Sequence, residues 1–150
     1  MKSTAITQQD RFGCGVASVA SLLGMDYKKA QSLFADGEHK AATSGFLCKE
    51  VVDALSRAGK HYQYRYVSVS VHPRIYEDGT IVFIRRSKKY PVGHYLCRIN
   101  GQWMDSWINQ QENQDIKEAA SGFRKRLPGT PIYALLETKH PISRGKSRGT

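Results

Sequence analysis

One cysteine in this sequence stands where a reactive thiol is expected. Cys14 lies between Gly13 and Gly15, in the stretch QQDRFGCGVASVASLLG, where an apolar helix is predicted to begin. The free amide groups and the dipole of a helix N-terminus favour a thiolate. The flanking glycines cost helix stability and leave space for another chain to approach the sulfur. A buried cysteine that packs as a small apolar side chain is the usual alternative, and we prefer it for Cys48 and Cys97.

A thiolate nucleophile needs a base, and the base needs a group that orients it. Of the five histidines, His94 lies in PVGHYLCRINGQWMDSW, where Asn100-Gly101 is a strong two-residue hairpin signal. With that turn, His94 and Asp105 are diagonal neighbours on one face, with Cβ atoms roughly 7 Å apart. Separately, they could be an ordinary strand histidine and a solvated acid. Together with Cys14, they predict the nucleophile, base and orienting acid of a cysteine acyl-transfer enzyme.

Attack on a carbonyl creates an oxyanion, which needs two hydrogen-bond donors. The backbone N–H of Cys14 can be one donor, and a glutamine amide just upstream can be the other. Gln8 precedes the cysteine by six residues and Gln9 by five, so the sequence does not decide between them. Both glutamines could also be ordinary loop residues.

The elements that must position these residues follow from the hydrophobic periodicity. Helical spacing predicts a helix over residues 15–23, a second helix capped by Asp26, and a third over 46–58 capped by Ser44. Residues 36–46 are predicted as a loop, and 113–121 as a short helix. Helices first and an antiparallel sheet afterwards indicate an α+β fold. The predicted strands cover residues 62–71, 80–84, 94–99, 102–107 and 132–137.

Length and composition predict one globular domain over residues 1–138, followed by a basic, flexible tail over 139–150. The formal net charge is +10, which favours an acidic partner but does not choose among partner classes. The excess charge lies in residues 85–89, in residues 124–126 and in the tail. We favour solvated charge, or steering of an acidic substrate, over a nucleic-acid partner, because no nucleic-acid motif accompanies the clusters. Trp103 or Trp107 could cover the His–Asp pair, with plain core packing as the alternative.

The remaining features exclude several classes of protein. Three cysteines without CxxC spacing argue against a disulfide framework or a zinc site, and they fit a reducing compartment. No metal or organic cofactor is implied. No run of 18 apolar residues is present, and the first ten residues contain no apolar segment of a Sec signal. We therefore expect a cytoplasmic location, or export by a route without such a signal.

These residues resemble those of the papain-like cysteine peptidases, and most of all the bacteriocin-processing (double-glycine) peptidases and their free-standing relatives. The resemblance rests on Gln8-x5-Cys14-Gly15, the helix that ends in Leu-Leu-Gly24, Gly93-His94-Tyr95 at the start of a strand, and Asp105. It implies that Gln8 helps to form the oxyanion hole, Cys14 attacks, His94 is the base and Asp105 orients it. The sequence departs from the family pattern at Gly13, Val16 and Ser106, where those enzymes typically have Asp, Pro and Pro.

The sequence thus predicts a thiol-dependent hydrolase that cleaves a peptide or isopeptide bond in a peptide or protein substrate, with acidic substrates as an option. Two alternatives stay open. A deamidase, transglutaminase or acyltransferase uses the same Cys-His-Asp set and differs in what resolves the thioester. A catalytically silent binding module would use the basic face instead.

Overall fold

The computed structural model describes residues 4–138 and shows four helices followed by a six-stranded antiparallel sheet. The predicted α+β class is confirmed, and the predicted tail over 139–150 lies outside the described residues. Within 4–138, no helix is long and apolar enough to cross a membrane. The helices are α1 (Cys14–Leu23), α2 (Tyr27–Gln31), α3 (Gly37–Thr43) and α4 (Cys48–Arg57). The strands are β1 (Tyr62–Tyr66), β2 (Ile81–Ile84), β3 (His94–Ile99), β4 (Gln102–Asp105), β5 (Gly122–Arg124) and β6 (Pro131–Glu137).

The sheet has the order β1-β6-β2-β3-β4-β5 and separates two apolar cores. The larger core lies between the helices and one face of the sheet. It buries the predicted stripe of α1, including Val16, Val19 and Ala20, against Tyr95 and Cys97 of β3. The smaller core lies on the opposite face and includes Leu96 and Trp103. Alternate residues of β3 therefore serve different cores, as the two-residue period of a strand requires.

The β3–β4 hairpin has the predicted turn and register. Ile99 pairs with Gln102 and Cys97 pairs with Met104. Asn100 and Gly101 both have positive φ, at 51° and 76°, as a two-residue hairpin turn with right-handed strand twist requires. The face that each side chain of the hairpin occupies is fixed by this register.

The helical half differs from the prediction at two places. Residues 36–46 were expected to form a loop, but α3 occupies Gly37–Thr43. Its buried residues are the small Gly37 and Ala41, so the apolar stripe that signals a helix is absent. The prediction that Ser44 caps the next helix is also wrong. α4 begins at Cys48, and the Glu50 carboxylate accepts the backbone N–H of Leu47, the N-cap residue.

Two strand ends and one predicted helix in the second half of the chain also differ. β1 ends at Tyr66 rather than at residue 71, and a 3-10 helix follows over His72–Tyr76. β4 ends at Asp105 rather than at residue 107. The helix expected over 113–121 is a single 3-10 turn, Ile116–Glu118, and the unpredicted strand β5 follows it. Three residues are too few to show a strand period, which explains why β5 was missed.

Candidate active site

Cys14 is the first residue of α1, as predicted. Its side chain is largely buried and forms part of the wall of a cleft. As a first-turn residue it has no intrahelical acceptor for its own backbone N–H. Its Sγ accepts the backbone N–H of Tyr95 at 3.4 Å. The sulfur therefore lies beside a donor from β3 as well as at a helix N-terminus.

One of the glycines that flank Cys14 has a packing role. A Cβ atom on Gly13 would lie 1.9 Å from the Tyr27 hydroxyl, which donates to the Asp10 carboxylate at 2.8 Å. A Cβ on Gly15 would contact the Tyr95 ring at 3.4 Å. Gly13 therefore allows α2 to pack closely against the start of α1, whereas a side chain at Gly15 would make ordinary contacts. That the two glycines leave space for a substrate chain stays a prediction.

The predicted base and acid are joined by a hydrogen bond on the face of the hairpin that faces the smaller core. His94 Nε2 lies 2.8 Å from Asp105 Oδ1, and the two side chains are 4% and 0% exposed. An ionised carboxylate only accepts hydrogen bonds, so Nε2 carries the proton and Nδ1 is left for Cys14. The diagonal contact predicted from the hairpin register is therefore present in the structure.

The ionisation of the pair follows from its surroundings. Burial alone would lower the pKa of the His94 imidazole, but the negative charge of Cys14 and the hydrogen bond with Asp105 outweigh it, and the pKa rises from 6.5 to about 9. Burial would raise the pKa of the Asp105 carboxyl, but hydrogen bonds and charge from His94, and the hydrogen bond from Arg124, hold it well below its usual range. At neutral pH the arrangement thus favours an imidazolium beside an aspartate.

Two further groups bind the Asp105 carboxylate. The Arg124 Nε donates to Oδ2 at 2.7 Å, and the backbone N–H of Trp107 donates to Oδ1 at 3.0 Å. The sequence prediction placed Arg124 among solvated surface charges, and this is wrong for that residue. No sequence signal could have found the contact, because it depends on the short strand β5.

The imidazole face is covered by Tyr90 and not by either tryptophan. The Tyr90 and His94 rings stack with centroids 4.6 Å apart and an interplanar angle of 9°. Tyr90 belongs to the 85–93 loop, which joins β2 to β3. The loop ends at Gly93, which has φ +81° and fits against the Phe83 ring with no room for a Cβ atom.

Gln8, and not Gln9, is buried at the site. Its Oε1 accepts the Ser106 hydroxyl at 2.7 Å, and its backbone N–H donates to the Ser106 carbonyl at 3.2 Å. Its Nε2 donates to the carbonyls of Asp10 and Arg11 at 2.9 and 3.0 Å. The side chain therefore braces the loop before Cys14, and donation to an oxyanion requires one of these two bonds to open. Its role in the oxyanion hole stays a prediction.

One cleft, with a volume of about 430 Å³, contains Gln8, Cys14 and His94 in its wall. Arg11 and Arg86 also line it, whereas Lys40 in the same wall is paired with Glu50. Of the predicted basic cluster 85–89, Arg86 lines the cleft. The apolar part of the wall is formed by Phe12, Phe46, Leu47, Phe83, Pro91 and Val92.

Cys48 is also the first residue of a helix, and its Sγ accepts the Tyr95 hydroxyl at 3.6 Å, so it differs from Cys14 in its ionisation and not in its position. All three cysteines are free, but burial raises the pKa of the Cys48 thiol, and it raises that of Cys97 to about 12. Cys97 is fully buried in the larger core. Both therefore stay protonated at neutral pH, which agrees with the packing role preferred from the sequence.

The fold has known counterparts, although no protein-family model matches the sequence and no curated protein matches it significantly. The peptidase domain of ComA, a bi-functional Streptococcus ABC transporter involved in a quorum-sensing pathway, aligns over 91% of this chain and 98% of its own, with TM-score 0.56 and 17% identity. A double glycine motif protease from an AMS/PCAT transporter, solved with its leader peptide, aligns over 91% of both chains, with TM-score 0.48 and 17% identity. The chain thus has the papain-like cysteine-peptidase fold that its motifs indicated.

Proposed function

We propose that this protein is a cysteine peptidase that cleaves a peptide or isopeptide bond through Cys14, His94 and Asp105. The observation that supports this most strongly is the buried His94–Asp105 hydrogen bond in the same cleft wall as Cys14. A histidine held in this way, beside a thiol at a helix N-terminus, is the arrangement of an activated nucleophile. The likeness of the fold to the ComA peptidase domain supports the same class.

The reaction then has two halves. The Cys14 thiolate attacks the carbonyl carbon, and the backbone N–H of Cys14 donates to the oxyanion that forms. His94 transfers its Nδ1 proton to the leaving amine, which leaves as the thioester forms. A water molecule then gives a proton to His94 and attacks the thioester, which returns the thiolate and releases the acid. Asp105 keeps the imidazole oriented and stabilises its charged form throughout.

The substrate proposed is a peptide with acidic side chains near the scissile bond. Arg11 and Arg86 give the cleft two cationic side chains without a carboxylate partner among residues 4–138. Cationic walls raise the local concentration of anionic substrates. The apolar wall residues provide contact surface for an extended chain.

The test is the rate of alkylation by iodoacetamide as a function of pH, with the modified cysteine identified by mass spectrometry. We expect Cys14 to react selectively at neutral pH, and about tenfold or more slowly in His94→Ala, because the imidazolium that stabilises the thiolate is lost. Cys48 and Cys97 are internal controls. Equal reactivity of all three cysteines, unchanged in His94→Ala, would contradict the proposal and favour a silent binding module.

A second measurement separates hydrolysis from transfer. Peptide libraries that differ only in acidic content are incubated with the wild type and with Cys14→Ala, and the products are analysed by mass. New chain ends that require Cys14, formed faster from acidic peptides, support the peptidase. A mass change on an intact acceptor would instead identify a deamidase or acyltransferase.

A further inference from the structure

Asp105 has a cation on each flanking strand, at equivalent positions. On β3, its diagonal neighbour is His94. On β5, Arg124 pairs with Trp103 and Gly122 pairs with Asp105, so Arg124 is the diagonal neighbour on the other side. Asp105 Oδ1 accepts a hydrogen bond from His94 Nε2 at 2.8 Å, and Oδ2 accepts one from Arg124 Nε at 2.7 Å. The orienting acid is thus held between two strands rather than at the edge of one hairpin.

We propose that Arg124 is a positioning residue of the active site, which acts on His94 through Asp105. This inference rests on the proposed function and deepens it. The guanidinium fixes Oδ2, so that Oδ1 stays directed at the imidazole while the imidazole gains and loses its proton. The cation also keeps the carboxylate ionised in a fully buried position, where an unpaired charge is strongly disfavoured.

The arrangement distinguishes Arg124 from its basic neighbours. Its side chain is 24% exposed, and it makes a second hydrogen bond, from Nη2 to the Ile108 carbonyl at 3.2 Å. Lys125 and Arg126, in contrast, are exposed and lie at a separate depression of the surface. The other ionisable groups that face the pair are Cys14 from α1 and Tyr90 from the 85–93 loop.

Two substitutions separate the hydrogen bond from the charge. Glutamine has an amide nitrogen at the chain position of Nε, so Arg124→Gln retains a donor toward Oδ2 and loses the charge. Methionine has the same length without a donor, so Arg124→Met loses both. Arg126→Gln is the matched control, because it removes the same charge from an exposed neighbour.

The first readout is the far-downfield proton resonance of His94 Nε2 in the Cys14→Ala background. We expect it in the control and in Arg124→Gln, and we expect it to be lost in Arg124→Met, where Oδ2 has no donor to fix it. The second readout is the pH profile of Cys14 alkylation. Arg124 acts on His94 through Asp105, so losing its charge should move the acid limb upward in both Arg124 variants and not in Arg126→Gln.

The proposal is overturned if folded Arg124→Met retains both the resonance and the acid limb of the control. If Arg124→Met does not fold, Arg124→Gln decides: an acid limb that coincides with that of Arg126→Gln overturns the proposal. Failure of the proposed function has a different signature. It appears in the wild type as unselective alkylation, whereas the Nε2 resonance reports on Arg124 without any contribution from Cys14.

Discussion

At the scale of single residues, the candidate active site is a chain of ionisable groups, each of which affects the next. Cys14 acts on His94, His94 on Asp105, and Asp105 is held by Arg124. The first three could be predicted, because a cysteine between glycines, a histidine and an aspartate at hairpin spacing are visible in the sequence. Arg124 could not, because its role depends on strand pairing across 19 residues and not on its neighbours in the chain.

This coupling predicts the effect of removing the thiol. In Cys14→Ala, the negative charge that contributes to the raised pKa of His94 is absent, while burial still lowers that pKa. We expect the titration midpoint of His94 to fall from about 9 by about one pH unit. The measurement is the imidazole chemical shift against pH, by NMR with labelled histidine. Cys48→Ala should leave the midpoint in place, and an equal shift in both variants would contradict a specific Cys14–His94 interaction.

At the scale of elements, the 85–93 loop has two roles that the sequence did not reveal together. Arg86, Pro91 and Val92 of this loop line the cleft wall. The stacking of Tyr90 on the His94 imidazole was not predicted, because ring stacking depends on loop conformation. Residues that line the cleft and the ring that stacks on His94 therefore lie on one segment.

The stacking predicts a difference between two substitutions of Tyr90. Tyr90→Phe keeps a ring on the imidazole, and its Cys14 should be alkylated at nearly the wild-type rate. Tyr90→Leu keeps the apolar bulk but loses the planar contact, which is worth about 0.5–1.5 kcal/mol for a ring pair, so the rate at neutral pH should fall severalfold. Circular dichroism confirms that both variants fold. Indistinguishable alkylation rates for Tyr90→Phe and Tyr90→Leu would show that the ring contact has no effect on His94.

At the scale of the whole molecule, the sheet brings the two halves of the site together from different layers. Cys14 belongs to the core between helices and sheet, whereas Leu96, on the same face of β3 as His94, belongs to the core on the opposite face. The order of helices and strands was predictable from the change in period from 3.6 to two. The short elements α3 and β5 were not, because small buried residues and three-residue strands leave no periodic signal.

The raised pKa of His94 predicts how stability changes with pH. A folded-state pKa of about 9 against an ordinary value of 6.5 means that the charged imidazole stabilises the fold fully below about pH 6.5. This stabilisation is lost as the pH rises through 9. Between pH 6 and pH 9.5 the wild type should lose roughly 1–3 kcal/mol more unfolding free energy than His94→Gln.

Denaturant unfolding at the two pH values, with reductant present, measures this difference. The net positive charge also decreases as the pH approaches the sequence pI of about 9.7, but this change is common to both proteins. Parallel curves for the wild type and His94→Gln would contradict a charged, stabilising His94 in the folded state.

The turn at Asn100 and Gly101 limits where this domain can accept inserted residues. It is exposed and contains no group that reacts, so by the usual rule it should accept added residues. Yet the number of residues in it sets which side chains of β4 meet those of β3. An insertion that shifted the β3–β4 register by one residue would direct Asp105 away from His94. An exposed turn is thus a spacer between the strands that carry His94 and Asp105 of the candidate site.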